Sequence, residues 1–226
     1  MRSLLLFILY CSFPVVSFSA ESVCYGTTKK GRIEQAVKLP ASGNNFVSYS
    51  SVAGMLGRTY VHSTVRDIIV TAYQQLESEL PSKQYKYAET GFEEGGRFKP
   101  HKTHQNGLSV DFMVPVINEQ GESVHLPTHV LNRWGYDIEF DKRGQYKDLK
   151  IDFEALAAHL VLLDKQARAH KVKLWRVIFD PELSPFLLET KYGEYIKENI
   201  KLSKKRSWVR HDEHYHVDFD IPCKAL

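Results

Sequence analysis

Histidine is the residue type of this chain whose number and spacing could do chemistry. Ten histidines occur among 226 residues, and five of them lie in two short segments, residues 95–112 and residues 210–219. The two segments supply six candidate side chains: His101, His104, Asp111, His211, His214 and His216. Imidazole and carboxylate groups are ligands that zinc accepts, so the composition of these segments indicates a metal site.

The spacing of the candidate ligands is compatible with one shared ion. A predicted strand near the C-terminus places His214 and His216 on the same side, because side chains two apart in a strand share a face. A second predicted strand carries Asp111, and His104 lies in the loop before it. If the two strands are neighbours, His104, Asp111 and one of the two other histidines can meet around one ion.

Two interpretations of the strand with His214 and His216 are open. Three protein ligands leave the fourth tetrahedral position of zinc to water, which is the arrangement of a catalytic zinc site. Alternatively, the histidines belong to a solvated polar face of the strand, which Asp218 continues. Asp212 and Glu213 are expected to be solvated near the edge of a cleft.

Two blocks of sequence resemble the motifs of a known family. The pattern GGRFxxHxxHQxGLxVD, from Gly95 to Asp111, resembles the first metal motif of the penicillin-insensitive murein endopeptidases. The block from Trp208 to His216, followed by a Pro-Cys pair, resembles their second motif. These enzymes belong to a wider group of zinc peptidases that includes lysostaphin-type enzymes, D-Ala-D-Ala peptidases and the hedgehog domain.

The resemblance implies a set of metal ligands. Zinc would be bound by His104, Asp111 and His216, and His101 matches a further family histidine that is associated with metal binding. The family's second metal site uses an Asp and a His in the middle of the chain. No convincing counterpart of that pair occurs here, so we expect one zinc per chain.

The resemblance also implies the reaction, which is hydrolysis of peptide crosslinks in peptidoglycan at a D-alanyl–diamino acid bond. Zinc lowers the pKa of a bound water to about 7. His214 would be the catalytic histidine that takes the proton of this water and later protonates the leaving amine. His211 would be a second active-site histidine that supports the reacting oxygen. Arg97 is a candidate for binding a substrate carboxylate or, alternatively, for fixing the glycine turn before it.

Two other functions are compatible with the same motifs. One is a D-Ala-D-Ala-type carboxypeptidase, and the other is a catalytically inactive, metal-bearing protein that binds the cell wall. Peptide stems of peptidoglycan are the expected partner, and the candidates for lining the groove are Tyr60, Trp134 and Trp208. Nucleic acid is not expected, because the net charge is only +3. The basic run at 201–206 is interpreted as a solvated helix face.

The N-terminal segment predicts export. Residues 1–20 combine Arg2, a short apolar run, and small residues at Ser17 and Ser19, which is the pattern of a cleaved signal peptide. An uncleaved anchor is the alternative. We expect a periplasmic or secreted zinc peptidase domain at residues 21–226. No membrane span is expected after signal removal, since no later apolar run approaches about 18 residues.

The cysteines support the same compartment. Two of the three remain after the signal, Cys24 and Cys223, and they lie near opposite ends of the chain. Disulfides persist in oxidising compartments, and the ends of a compact domain often lie close together. We therefore predict a Cys24–Cys223 disulfide, with two separate buried thiols as the alternative.

The elements that must position these residues indicate an α+β fold. Helices are predicted at 62–80, where Ser63 or Thr64 is the expected cap, at 152–170, where Asp152 is the expected cap, and shortly after Asp180. The predicted strands are 85–92, 108–116, 174–180 and 214–221. Together they predict a single domain with a mainly antiparallel central sheet and flanking helices. The family resemblance implies that this fold is like that of the hedgehog and D-Ala-D-Ala peptidase domains.

Overall fold

A five-stranded sheet forms the centre of the protein, and helices pack beside it. The computed structural model describes residues 21–207 and 209–226, so the predicted signal segment and Trp208 lie outside the described residues. The strands are β1 (Val23–Thr27), β2 (Lys30–Glu34), β3 (Val37–Lys38), β4 (Phe46–Ser48), β5 (Tyr60–Val61), β6 (Tyr85–Tyr87), β7 (Ser109–Met113), β8 (Val116–Ile117), β9 (Ser123–Val124), β10 (Gln145–Tyr146), β11 (Leu149–Ile151), β12 (Lys173–Ile178) and β13 (His214–Asp220). The α-helices are α1 (Ser51–Met55), α2 (Ser63–Glu79), α3 (Phe153–Ala169), α4 (Ser184–Leu188) and α5 (Gly193–Asn199), and a 3₁₀ helix spans Val130–Gly135. The predicted α+β class is confirmed.

The central sheet has the strand order β12, β13, β7, β6, β4. Its neighbours are antiparallel except for β4 and β6, which run parallel. Three smaller sheets join β1 with β2, β3 with β5, and β10, β11, β8 and β9 in that order. The strands β7 and β13 are direct neighbours, and their register places His216 opposite Asp111. The condition for a shared ion, that these two strands are neighbours, is therefore met.

One face of the β7–β13 pair belongs to the hydrophobic core. Val110 and Phe112 of β7 are buried there beside Tyr215 and Val217 of β13. Helix α3 covers this face, since the ring of His159 packs edge-on against Phe112 and bonds to the Tyr215 hydroxyl. Full burial of a side chain such as Phe112 stabilises a fold by about 1.5–3 kcal/mol.

The opposite face of the same strand pair is polar and is buried as well. Asp111, His214, His216 and Asp218 alternate with the core residues and are at most 3% exposed. The expectation of a solvated polar face at Asp218 is wrong. Arg176 of β12 binds Asp218, and Tyr136, which follows the 3₁₀ helix, binds Asp111. These side chains, contributed by other parts of the chain, cover the polar face.

The helix caps agree with the sequence at one helix and differ at another. Asp152 Oδ1 accepts from the backbone nitrogen of Ala155 at 3.0 Å, which confirms the predicted cap of α3. At α2 the expected cap at Ser63 or Thr64 is wrong, because His62 Nδ1 accepts from the backbone nitrogen of Thr64 at 3.2 Å. The hydroxyl of Ser63 instead accepts from the backbone nitrogen of Ser22 at 3.1 Å.

Two predicted strands are shorter than the sequence pattern suggests. The strand expected at 85–92 ends at Tyr87, and the one expected at 108–116 is divided into β7 and β8. Pro115 lies between β7 and β8 and has no backbone N–H to donate to a neighbouring strand. The strand β8 pairs with β9 and β11 in a separate sheet.

The two ends of the described chain are joined covalently. Cys24 and Cys223 form a disulfide across 199 residues, as the cysteine positions predict. In the chain-entropy model, closure of a loop of this length stabilises the fold by about 5 kcal/mol. Within the described residues, no helix is long and apolar enough to cross a membrane. The basic run at 201–206 follows the end of α5, so its interpretation as a helix face is wrong.

Candidate active site

Asp111 is the centre of the cluster of candidate residues. Its Oδ1 lies 2.8 Å from His216 Nδ1 and 3.3 Å from His104 Nε2. Its Oδ2 accepts from the hydroxyl of Tyr136 at 3.0 Å and lies 3.6 Å from His101 Nδ1. The three residues proposed as zinc ligands from the sequence therefore meet at one carboxylate oxygen.

His104 has an unsatisfied ring nitrogen that faces Asp111. Its Nδ1 lies 2.9 Å from the carbonyl oxygen of Thr90, which can only accept, so Nδ1 carries the proton. Burial lowers the pKa of His104, so the ring is neutral and its Nε2 bears a lone pair, which is buried without a hydrogen-bond partner. A lone pair that faces a carboxylate oxygen at 3.3 Å is unfavourable unless a cation lies between them. The donor set therefore fits a metal ion.

The loop that carries His104 depends on a pair of glycines. Gly96 donates its backbone N–H to the carbonyl of Gln105 at 2.9 Å, which ties the start of the loop to its end. Gly95 has a φ of +71°, and a Cβ at that position would lie 2.3 Å from the same carbonyl oxygen. His104 itself has a φ of +68°, which is uncommon for a residue other than glycine. This left-handed conformation is found at functional sites more often than elsewhere.

A second grouping of possible ligands shares two members with the first. His101, His104 and Asp111 each offer one ligand atom, and these atoms lie within 4.8 Å of one another. His101 Nε2 bonds to Glu89, so its Nδ1 is the nitrogen that faces Asp111. His104 and Asp111 belong to either grouping. The group could hold a metal, and the choice between His101 and His216 as the third ligand stays a prediction.

His211 and His214 lie beside the cluster with their ring centroids 4.5 Å apart. The Nδ1 of His211 lies 2.8 Å from the carbonyl oxygen of Val209, and the Nδ1 of His214 lies 2.6 Å from Glu213 Oε1. Burial lowers the pKa of His211 to about 3 and that of His214 to about 4. Both rings are therefore neutral at pH 7 and can accept a proton.

The charges of Asp111 and His216 depend on each other. Burial by itself raises the pKa of Asp111, but the hydrogen bond from His216 opposes burial, and the pKa of this carboxyl lies well below its usual range. Burial lowers the pKa of His216, yet the carboxylates of Asp218 and Asp111 outweigh burial and raise it to about 10. Two carboxylates around one imidazole make this a strongly cation-binding environment.

Three of the histidines each bond to a carboxylate other than that of Asp111. His101 bonds to Glu89, whose Oε1 accepts from Tyr49 at 2.8 Å. His216 Nε2 lies 2.9 Å from Asp218 Oδ1, and Arg176 binds the other oxygen of Asp218. Such partners fix the orientation and tautomer of a metal-binding or catalytic imidazole.

The third of these carboxylates, Glu213, bonds to His214, and its neighbour Asp212 bonds to Arg210 and to the backbone nitrogen of Phe140. Both acidic residues are buried. The expectation that they are solvated near the cleft edge is wrong, because both side chains are 1% exposed and bond to partners inside the fold.

A cavity of about 890 Å³ opens above the cluster. The site residues that line it are His101, Asp111, Tyr136, His211, His214 and His216. The positively charged residues of the lining are Lys29, Arg58, Lys99, Lys102, Arg133 and Arg176. The cavity is large enough for a peptide of a few residues, and its walls suit a substrate with carboxylate groups.

Of the described residues predicted to bind substrate, one lines the cavity and two do not. Trp134 lies at the mouth of the cavity and is 36% exposed. Tyr60 and Arg97 are not among the described residues that line this cavity, and Arg97 is exposed. No contact here decides between the two roles considered for Arg97, so substrate binding by this residue stays a prediction.

Tyr136 is a site residue that the sequence did not reveal. Its ring lies edge-on to those of His101 and His214, with centroids 5.8 Å and 4.9 Å away, and its hydroxyl binds Asp111. It belongs to the segment between β9 and β10. Lys86 secures this segment by donating to the carbonyl of Leu126 at 2.7 Å. No spacing in the sequence connects Tyr136 to the histidines, whereas the i, i+2 spacing of Asp218 from His216 could have identified Asp218.

The fold and the cluster define a class of proteins that carry a buried histidine and aspartate site on one face of a mainly antiparallel sheet. Within this class, the family model of penicillin-insensitive murein endopeptidases matches residues 24–225. The chain belongs to that family and is a peptidase whose substrate is peptidoglycan. In a search among curated proteins, nothing matched the chain.

Proposed function

We propose that the protein is a zinc-dependent endopeptidase that cuts peptide crosslinks of peptidoglycan at a D-alanyl–diamino acid bond. The observation that carries the proposal is the lone pair of His104 Nε2, which faces Asp111 Oδ1 at 3.3 Å inside a murein endopeptidase fold. We assign zinc binding to His104, Asp111 and His216, with His101 as a further candidate. When bound, zinc acts as a Lewis acid and lowers the pKa of a water to about 7.

His214 is the residue that we assign to proton transfer. Glu213 occupies its Nδ1, so Nε2 is the nitrogen left to react. Because the ring is neutral, Nε2 can take a proton from the attacking water as the new C–O bond forms. The same proton then passes to the leaving amine as the peptide C–N bond breaks, which returns His214 to its starting state.

His211 supports the reacting oxygen in this proposal. Its Nδ1 faces the carbonyl of Val209, so the neutral ring offers only a lone pair at Nε2. It can donate to an oxyanion only after gaining a proton at Nε2. Negative charge that develops on the substrate oxygen beside it favours this protonated form.

The test of the proposed function is digestion of purified crosslinked muropeptides. We expect dimers to become monomers with no release of free alanine, and we expect a zinc chelator to stop the reaction and added zinc to restore it. Release of free D-alanine from uncrosslinked stems would instead indicate the carboxypeptidase. Binding to sacculi without any turnover would indicate the inactive cell-wall-binding protein.

We also propose that the protein is exported to the periplasm or the exterior. The Cys24–Cys223 disulfide supports this location, since disulfides persist outside the cytoplasm. Cell fractionation and N-terminal sequencing of the recovered protein test the proposal. A mature chain that begins near Glu21 supports it, and a cytoplasmic chain that retains residues 1–20 contradicts it.

A further inference from the structure

Glu213 stands apart from the other buried carboxylates near the cavity. It is 1% exposed, its Oε1 lies 2.6 Å from His214 Nδ1, and its Oε2 is buried without a hydrogen-bond partner. Arginines bind the three comparable carboxylates, Glu89, Asp212 and Asp218. Among the described residues, no lysine or arginine pairs with Glu213.

This arrangement is unfavourable for folding and favourable for holding an imidazole. A buried carboxyl group without a cation and with one bare oxygen loses its hydration and is only partly compensated. The single strong contact of Glu213 is with His214. Its effect on the molecule is therefore concentrated on the orientation of that one ring.

The backbone and a neighbouring side chain keep both partners of this contact in place. The carbonyl of Glu213 accepts from the backbone nitrogen of Val114 at 3.0 Å, and His214 pairs with Met113 of β7. On the other side, the ring of Tyr136 lies edge-on to His214 at 4.9 Å. Contacts on two sides thus hold the ring of His214. His214 lines the cavity, and Nε2 is the ring nitrogen that Glu213 leaves available.

We propose that Glu213 is the positioning residue of His214: its Oε1 accepts the Nδ1–H of the imidazole and so keeps the Nε2 lone pair directed at the substrate. This role rests on the proposed function of His214. In the reaction, the proton moves from the attacking water to His214 Nε2 and then to the leaving amine. No proton is transferred to Glu213, which has the same state before and after the reaction.

The test compares three variants of the full-length mature protein. Glu213→Met removes the acceptor at similar length and volume, Glu213→Gln keeps one acceptor oxygen, and Asp212→Asn is a matched change of the adjacent buried carboxylate, whose hydrogen bonds go to Arg210 and Phe140 rather than to a site histidine. For each we would measure kcat and KM on crosslinked muropeptide dimers, zinc affinity by chelator competition, and thermal unfolding. The tautomer of His214 is read from the ¹⁵N chemical shifts of its ring.

We expect kcat of Glu213→Met to fall about 10- to 100-fold with KM and zinc affinity little changed. Glu213→Gln should lie between this variant and the wild type, and Asp212→Asn should lose thermal stability while its kcat stays close to the wild-type value. The Nδ1–H signature of His214 should weaken in Glu213→Met. Because Glu213→Gln is the milder change, it tests the role even if Glu213→Met does not fold.

Two results would overturn the inference. One is a Glu213→Met protein with wild-type kcat, and the other is a loss of zinc in proportion to the loss of activity, which would make Glu213 a support of the metal. If the wild-type protein cuts no crosslink, the proposed function fails instead. The ring ¹⁵N shifts of His214 then still decide whether Glu213 selects its tautomer.

Discussion

Buried histidines lie on both sides of the β7–β13 strand pair, and their surroundings differ. On the core side, His159 of α3 stacks on Tyr73, packs edge-on against Phe112 and bonds to the hydroxyl of Tyr215. On the other side, His216 lies between two carboxylates, those of Asp111 and Asp218. The difference teaches that burial alone does not make a histidine chemically useful. Carboxylate partners prepare an imidazole for a cation, whereas aromatic rings and a hydroxyl keep it neutral.

The largest effect is expected from His104→Ala, because the substitution removes a proposed ligand from the carboxylate side of this comparison. Zinc content by elemental analysis should fall from one per chain to almost none. Cleavage of crosslinked dimers should fall about 1,000-fold or more. His170→Ala, an exposed histidine at the end of α3, is the matched control and should keep both properties. A His104→Ala protein that retains stoichiometric zinc would contradict the ligand assignment.

His214→Ala should separate catalysis from metal binding on the same side of the sheet. We expect the variant to keep its zinc, because His214 is assigned to proton transfer rather than to the metal. Its kcat should fall about 100- to 10,000-fold, the range typical of general acid–base groups. Zinc analysis and steady-state kinetics on one preparation check both statements. Full activity would show that the catalytic assignment is wrong.

His159 tests the core side of the comparison through the pH dependence of stability. Burial lowers its pKa to about 3, whereas an unfolded histidine titrates near 6.5. Below pH 6.5 the unfolded chain gains a proton that the folded chain does not, so the free energy of unfolding decreases as the pH falls towards 3. Between pH 7.5 and pH 5 this histidine should account for a loss on the order of 2 kcal/mol.

His159→Gln is the variant that isolates this contribution, since glutamine keeps a hydrogen-bonding group and does not titrate. Urea unfolding of both metal-free proteins at the two pH values gives the difference. The other buried histidines contribute equally to the pH dependence of unfolding in both proteins, so their contributions cancel in the difference. An identical pH dependence in wild type and variant would show that His159 does not remain neutral in the folded state.

Tyr136→Phe should have the smallest effect of the four substitutions His104→Ala, His214→Ala, His159→Gln and Tyr136→Phe. The substitution removes the hydroxyl that donates to Asp111 Oδ2 at 3.0 Å and leaves the ring in place. Zinc affinity should weaken about tenfold, because the carboxylate loses a partner that fixes its orientation. Chelator competition measures the change, and Tyr146→Phe in β10 is the control. Unchanged zinc affinity would show that Asp111 is oriented without Tyr136.

Much of the site could be predicted from local sequence rules. The period of two in a strand placed His214 and His216 on one face, and the alternation around Asp111 separated it from Val110 and Phe112. Two cysteines at opposite ends of an exported chain predicted their disulfide. The strand predictions depend on short spacings and the disulfide prediction on residue type and compartment, and the structure confirms the strand faces and the disulfide.

The site residues that were not predicted act through contacts between segments that are distant in the sequence. Tyr136 and Glu89 reach the cluster from loops whose paths no local pattern specifies. Asp218 resembled a solvated strand residue because its partner Arg176 lies in another strand, 42 residues away in sequence. The cap of α2 was misplaced because the ring of His62 accepts from the backbone nitrogen of Thr64, whereas the hydroxyl of Ser63 accepts from the distant Ser22.

The sequence by itself determined the chemistry that is available: histidines and a carboxylate in two segments, and the face of each strand on which they lie. The tertiary structure decided which nitrogen of each imidazole is available to the proposed site. Thr90, Glu213 and Asp218 occupy the other ring nitrogens of His104, His214 and His216. The physical reason is that a side chain's hydrogen-bonding partners depend on burial and on the three-dimensional path of distant segments, and short-range spacing contains neither.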